Sequence, residues 1–130
     1  MSSCLYAIQF KDGTWKIGGS YNLETRLVQY KGPCKPIHCI VQIIEGEYRN
    51  LENVIIEEMN SSQEWELSDG REYFAPRIDI ENAKQWFMQR FRRINPLPLY
   101  VGNKKEVCLS IREYNKAKPY VSFAVTISRM

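Results

Sequence analysis

At 130 residues, with 44% apolar and 25% charged side chains, the chain is sized for one domain around one hydrophobic core, and global disorder is excluded. No window reaches the ~20 uninterrupted apolar residues that a membrane helix needs. The opening Met1-Ser2-Ser3-Cys4 has no basic region followed by an apolar stretch, so no secretory leader is read and a cytosolic or nuclear compartment is expected. The net charge of +3 is unevenly spread: residues 1–81 carry 8 Lys/Arg against 13 Asp/Glu, whereas residues 82–130 carry 10 against 2. That basic C-terminal third suits a polyanionic partner, or is simply a solvated surface.

Residues 4–10 read as a strand, Lys11-Asp12-Gly13 as a tight turn, and residues 14–18 as the returning strand of a hairpin. Gly18-Gly19-Ser20 then breaks the sheet. Asn22 is a helix N-cap, with Glu24 in the favoured first turn, and the helix runs from Leu23 to about Lys31, where Gly32-Pro33 stops it. Residues 38–44 are rich in β-branched side chains and predict a buried strand. Leu51, Val54, Ile55 and Met59 recur at helical spacing over residues 47–59. Residues 65–75 contain an Asp69-Gly70 turn and a short strand or irregular wall. Asp79 caps a helix to about Arg93, with Ile80, Ala83, Trp86, Phe87, Phe91 and Ile94 on one face. Pro96 and Pro98 mark a hinge, and alternation at Val107, Leu109, Ile111 and at Val121, Phe123, Val125, Ile127 predicts an antiparallel hairpin over 106–113 and 119–127.

The order predicts an α/β (α+β) fold: a small mixed or antiparallel three-stranded central sheet flanked by helices, with an added C-terminal β-hairpin. Residues 1–95 form the core and residues 96–130 a basic extension packed on or beside it. Cys34, His38 and Cys39 fall within six residues, but a zinc site needs four ligands and a second ligand pair at a recognisable spacing is missing, so reduced cysteines are expected. With one histidine, a Ser/His/Asp or Cys/His hydrolase would have to be built on His38, where nothing suggests an oxyanion hole. No glycine-rich phosphate loop precedes a helix with the required lysine, which argues against NTP hydrolysis.

The first thirty residues resemble the GIY-YIG nuclease family. Cys4-Leu5-Tyr6 stands where G-I-Y would, and Lys16-Ile17-Gly18 where Y-I-G would. Gly19-Ser20-Tyr21-Asn22-Leu23-Glu24-Thr25-Arg26 matches the G-S-x-N-L-x-x-R run. Lysine in the second strand resembles the K-I-G branch common in phages and large DNA viruses, and Leu51-Glu52 and Glu72-Tyr73-Phe74 fit that branch's later features. The likeness spans residues 4–75. It implies a metal-dependent endonuclease, with Mg or Mn as cofactor and DNA favoured over RNA as substrate, encoded by a virus or phage. The sequence departs from the pattern where the family's histidine after the arginine is Tyr30, where a later histidine is Ile56, and where Glu72 stands near the family's late amide.

Phosphodiester cleavage needs an activated water, a cation at the scissile phosphate and neutralisation of developing charge. The Tyr6 hydroxyl could orient or deprotonate the water, the alternative being core packing. Lys16 offers an ammonium for a phosphate, or is a solvent-facing strand lysine. Arg26 could hold a phosphate bidentately, or pair with a carboxylate on the helix surface. Tyr30 lies one turn beyond on the same face. Glu52 would bind the metal, one carboxylate plus waters and phosphate oxygens being the usual way to hold Mg²⁺; the alternative is one more surface glutamate. Glu72 and Tyr73 would form the site wall. Ser20, Arg26, Lys104, Lys105, Arg112, Lys116 and Lys118 are the candidate nucleic-acid contacts. Two further readings stand beside the endonuclease: a protein that keeps the fold for nucleic-acid or partner binding after losing cleavage, and a protein-interaction surface, including self-association, on Tyr120, Val121 and Phe123.

Overall fold

In the computed structural model, residues 2–30, 35–70 and 72–128 are described, with backbone only at Ser2, Asp69 and 118–128. The chain runs β1 (Ser2–Phe10), β2 (Trp15–Ser20), α1 (Leu23–Leu27), β3 (Pro36–Glu45), α2 (Arg49–Ser61), β4 (Trp65–Asp69), β5 (Tyr73–Pro76), α3 (Ile80–Ile94), β6 (Leu99–Gly102) and α4 (Lys104–Ser128).

The Asp12-Gly13 turn forms as read. Gly13 has a φ of 91°, which glycine adopts without a Cβ penalty, and Asp12 Oδ1 accepts from the Thr14 N–H at 2.9 Å. Asn22 caps α1 by accepting from the Thr25 N–H at 3.2 Å, and Asp79 caps α3 through Asn82 at 2.8 Å. α1 ends at Leu27, earlier than the expected Lys31, which with Gly32, Pro33 and Cys34 lies outside the described residues.

The sheet has six strands, not three, in the order β4-β5-β2-β1-β3-β6, with every neighbouring pair antiparallel. The three expected strands are its centre. β6 was hidden by its four-residue length and flanking prolines, and what reads as a Pro96–Pro98 hinge is fastened to the sheet instead. Gln42 donates to the Asn95 carbonyl at 2.7 Å, Asn95 donates to the Ile43 carbonyl at 2.9 Å, and the Ile43 N–H bonds the Pro98 carbonyl at 3.1 Å.

The expected C-terminal hairpin is a helix. Asn103 Oδ1 accepts from the Glu106 N–H at 2.9 Å while Glu106 Oε1 accepts from the Asn103 N–H at 3.0 Å, a reciprocal cap that starts α4. Val107, Cys108 and Ile111 then face the sheet, whereas Leu109, which alternation would bury, is 52% exposed. The 3.6-residue period wins because three apolar positions fit it and a helix start is present. Residues 96–128 are therefore no hairpin extension: β6 completes the sheet edge and α4 packs on β3 and β6. The side chains of Tyr120, Val121 and Phe123 lie outside the described residues. No helix among the described residues is long and apolar enough to cross a membrane.

Strand alternation divides the core into two layers. Leu5, Ala7, Trp15, Ile17, Ile40 and Ile44 meet α2 and α3; Tyr6, Ile8, Cys39, Val41 and Ile43 meet α1 and α4. Burial, with a smaller contribution from Cys108, pushes the Cys4 thiol up to about 12, and burial likewise pushes Cys39 up to about 12, from an ordinary 9.0. Unfolded thiols lose their protons near 9 while the folded ones retain theirs. The folded state therefore binds more protons, and stability falls as pH rises from about 9 to 12. Denaturant melts across that range should show a steeper decline for the unaltered protein than for Cys39→Val.

Candidate active site at the open edge of the second strand

β5 pairs with β2 only at Trp15 and Lys16, and the Ile17 N–H bonds the Glu72 carbonyl at 3.1 Å. Gly18 to Ser20 continue β2 against β1 alone, so the sheet opens there on its β5 side. A pocket of about 310 Å³ occupies this place, lined by Tyr6, Lys16, Gly18, Gly19, Arg26, Tyr48, Arg49, Glu52, Asn53 and Glu72. Side chains from β1, β2, α1, α2 and the β4–β5 turn thus meet at one point, although Tyr6 and Glu52 are 46 residues apart in the chain.

Gly18-Gly19 does not break the sheet, as the sequence suggests; it makes room. A Cβ on Gly18 would stand 2.5 Å from the Tyr6 hydroxyl oxygen, and one on Gly19 would stand 2.0 Å from the Tyr48 ring. The glycine pair admits one tyrosine to each face of β2, since Tyr6 and Tyr48 belong to opposite core layers. Gly18→Ala is expected to displace the Tyr6 ring and break its contact with Tyr30, which tyrosine ultraviolet titration of the variant would register as a changed titration midpoint.

Tyr6 forms the pocket floor, and its hydroxyl lies 3.3 Å from that of Tyr30. Burial raises the Tyr6 phenol above its ordinary value; the Tyr30 hydrogen bond and the Arg26 charge oppose that rise, and the Glu52 carboxylate adds to it. Tyr30 is raised as well, first by burial and then by its bond to Tyr6. Both are phenols, not phenolates, at neutral pH. Burial works against the Arg26 charge, but the hydroxyls of Tyr6, Tyr30 and Tyr48 outweigh it and hold the guanidinium above its ordinary value. Arg26 and Glu52 therefore both act electrostatically on one tyrosine. Lys16 is buried and ion-paired to Glu72, with its Nζ 5.0 Å from the centre of the Tyr73 ring. The apolar wall behind Lys16 and Tyr73 includes Phe10, whose ring stacks on Tyr73 at 5.9 Å.

Glu52 lies in the first turn of α2, where the helix dipole favours a negative charge. A lone carboxylate of this kind could hold a divalent cation only if water and other oxygens supplied the remaining ligands. Among the described residues, no cluster of three or more His, Cys, Asp or Glu side chains is set to hold a metal by itself. The Cys34/His38/Cys39 group is no exception. Cys34 lies outside the described residues, Cys39 belongs to the layer facing α1 and α4, and His38 meets Trp15 on the opposite face.

The remaining expected contacts lie elsewhere. Ser20 closes the β2–α1 turn, donating to the Asn22 carbonyl at 2.8 Å and accepting from the Asn22 N–H at 3.0 Å. Lys104, Lys105 and Arg112 line a separate groove of about 660 Å³ between α1 and α4. Arg112 is ion-paired there through its Nε and terminal nitrogen to Glu24, so its charge is already balanced. Lys116 is exposed on α4, and the Lys118 side chain lies outside the described residues. Tyr48, Arg49 and Asn53 were not anticipated. Tyr48 and Arg49 lie four and three residues before Glu52, and Asn53 four after Arg49, which was the available signal.

No protein-family model, curated protein or solved structure matches the chain.

Proposed function

We propose that this protein is a GIY-YIG-type, metal-dependent endonuclease that hydrolyses nucleic-acid phosphodiesters, with DNA the favoured substrate. One observation carries the reading: Tyr6, Lys16, Arg26 and Glu52, each implied by the family resemblance, line one pocket with Gly18 beneath the tyrosine hydroxyl.

Arg26 supplies a planar, permanently charged donor fork for the non-bridging oxygens of the scissile phosphate, where negative charge grows in the transition state. Tyr6, protonated and hydrogen-bonded to Tyr30, is placed to orient the attacking water through its hydroxyl. Tyr30 takes the place of the family's histidine and holds Tyr6 in position. Lys16 adds a cation at the pocket wall. Glu52, with Asn53 beside it, would hold Mg or Mn; such an ion, when bound, supplies Lewis-acid polarisation of the phosphate and a lowered water pKa. Lys104, Lys105 and Lys116 on α4 would contribute phosphate contacts that fix no sequence, making affinity strongly salt-dependent.

A second reading, nucleic-acid or partner binding without cleavage, draws support from the raised Tyr6 phenol, a poor proton acceptor, and from Glu72 neutralising Lys16. Plasmid DNA incubated with Mg²⁺ or Mn²⁺ separates the two. Nicking that disappears with EDTA and in Glu52→Ala supports the nuclease. Salt-sensitive retardation without nicking supports binding alone, and absence of both overturns the nucleic-acid reading.

A further inference from the structure

Lys16 and Glu72 face each other across the same pocket as Arg26 and Glu52, and their pairing creates a conflict for an incoming anion. The Lys16 ammonium is largely buried, with its side chain 10% exposed; it already holds the Glu72 carboxylate and is backed by the Tyr73 ring. Glu72 holds one of the three ammonium donors and balances the charge, so a phosphate that enters this pocket competes with Glu72 for Lys16.

The local geometry permits that exchange cheaply. The backbone of Glu72 is fastened, because its carbonyl accepts from the Ile17 N–H and the next residue, Tyr73, is in register with Lys16. The Glu72 side chain is more exposed than that of Lys16, at 32% against 10%. Its carboxylate can therefore rotate towards water while strand and lysine stay in place.

We infer that Glu72 is a resident anion, occupying on Lys16 the seat that a substrate phosphate oxygen takes, so that it sets the affinity of the pocket for anions and rejects weakly bound ones. A group with one diffuse charge, such as chloride, would compete poorly with the tethered carboxylate. A phosphodiester engages Arg26 as well, and this second contact offsets the cost of displacing Glu72. The inference deepens the nuclease reading by giving Glu72 a specificity role, and it rests on that reading only for the nature of the anion.

The test uses the full chain in EDTA, with inorganic phosphate as the probe and calorimetric titration as the readout. Glu72→Gln keeps the shape of the side chain and removes its charge. It is expected to bind phosphate about five- to tenfold more tightly than the unaltered protein, the equivalent of roughly 1 kcal/mol of released competition. The double variant Glu72→Gln/Lys16→Met should lose that gain, and thermal melts of both establish folding. Equal or weaker phosphate binding by a folded Glu72→Gln overturns the inference, as does a gain that survives in the double variant. Plasmid nicking by the unaltered protein is scored separately. A gain without nicking keeps the resident-anion role of Glu72 and sinks the nuclease, and nicking without a gain does the reverse.

Discussion

Arg26→Ala should lower the nicking rate by about 10²–10³-fold, the cost of removing one donor aimed at developing charge, or roughly 2.7–4 kcal/mol. The loss should fall mainly on the rate at saturating DNA, because the proposed mechanism calls on the guanidinium most when charge accumulates on the phosphate. The fold should survive. α1 is held by buried Leu23 and Leu27 and by the Asn22 cap, and none of these depends on Arg26. Arg26→Lys keeps the charge but loses the fork and should recover only part of the rate. Arg112→Ala is the matched control, since that guanidinium is committed to Glu24 in another groove. A fall in rate equal to that of Arg26→Ala would show that the named pocket is not special.

Phe87→Ala is expected to produce the largest loss of stability, about 3–5 kcal/mol. Phe87 is fully buried on α3, and its ring centre lies 5.1 Å from Trp15, 5.0 Å from Trp65, 5.2 Å from Trp86 and 6.1 Å from Phe91. Truncation opens a void among large rigid rings that cannot collapse into it without leaving their rotamers. A domain of this size has about 5–15 kcal/mol in total, so the variant should unfold at a much lower denaturant midpoint with an unchanged slope. Because Trp15 also forms β2, activity near the transition temperature should disappear with the fold, whereas Arg26→Ala loses activity at full stability. A Phe87→Ala loss of stability of only a few tenths of a kcal/mol would contradict the packing described.

The parts of the structure legible in the sequence are those set by local chemistry. Asp12-Gly13 specifies a turn. The pocket residues were legible through a motif, because Tyr6, Lys16, Gly18 and Arg26 sit on a hairpin and the helix that follows it. What was missed depends on contacts distant in the chain. Gly19 reads as a sheet breaker until Tyr48 is seen packed where its Cβ would be. β6 is too short to have a period of its own and exists because β3 offers it an edge. In α4, Val107, Leu109 and Ile111 suit a strand as well as Val107, Cys108 and Ile111 suit a helix. The reciprocal Asn103–Glu106 cap decides between them, and it was present in the sequence. Glu72 could be placed near the site but not paired, since only the β4–β5 turn brings it to Lys16.

Titration of the isotopically labelled protein with Mn²⁺, followed by paramagnetic broadening of backbone amide signals, tests the central claim most directly. Broadening that begins at Gly18, Gly19, Glu52 and Asn53 and is abolished in Glu52→Gln is the predicted result. Broadening centred on another acidic surface, or unchanged by Glu52→Gln, would contradict a divalent-cation site in this pocket and with it the proposed chemistry.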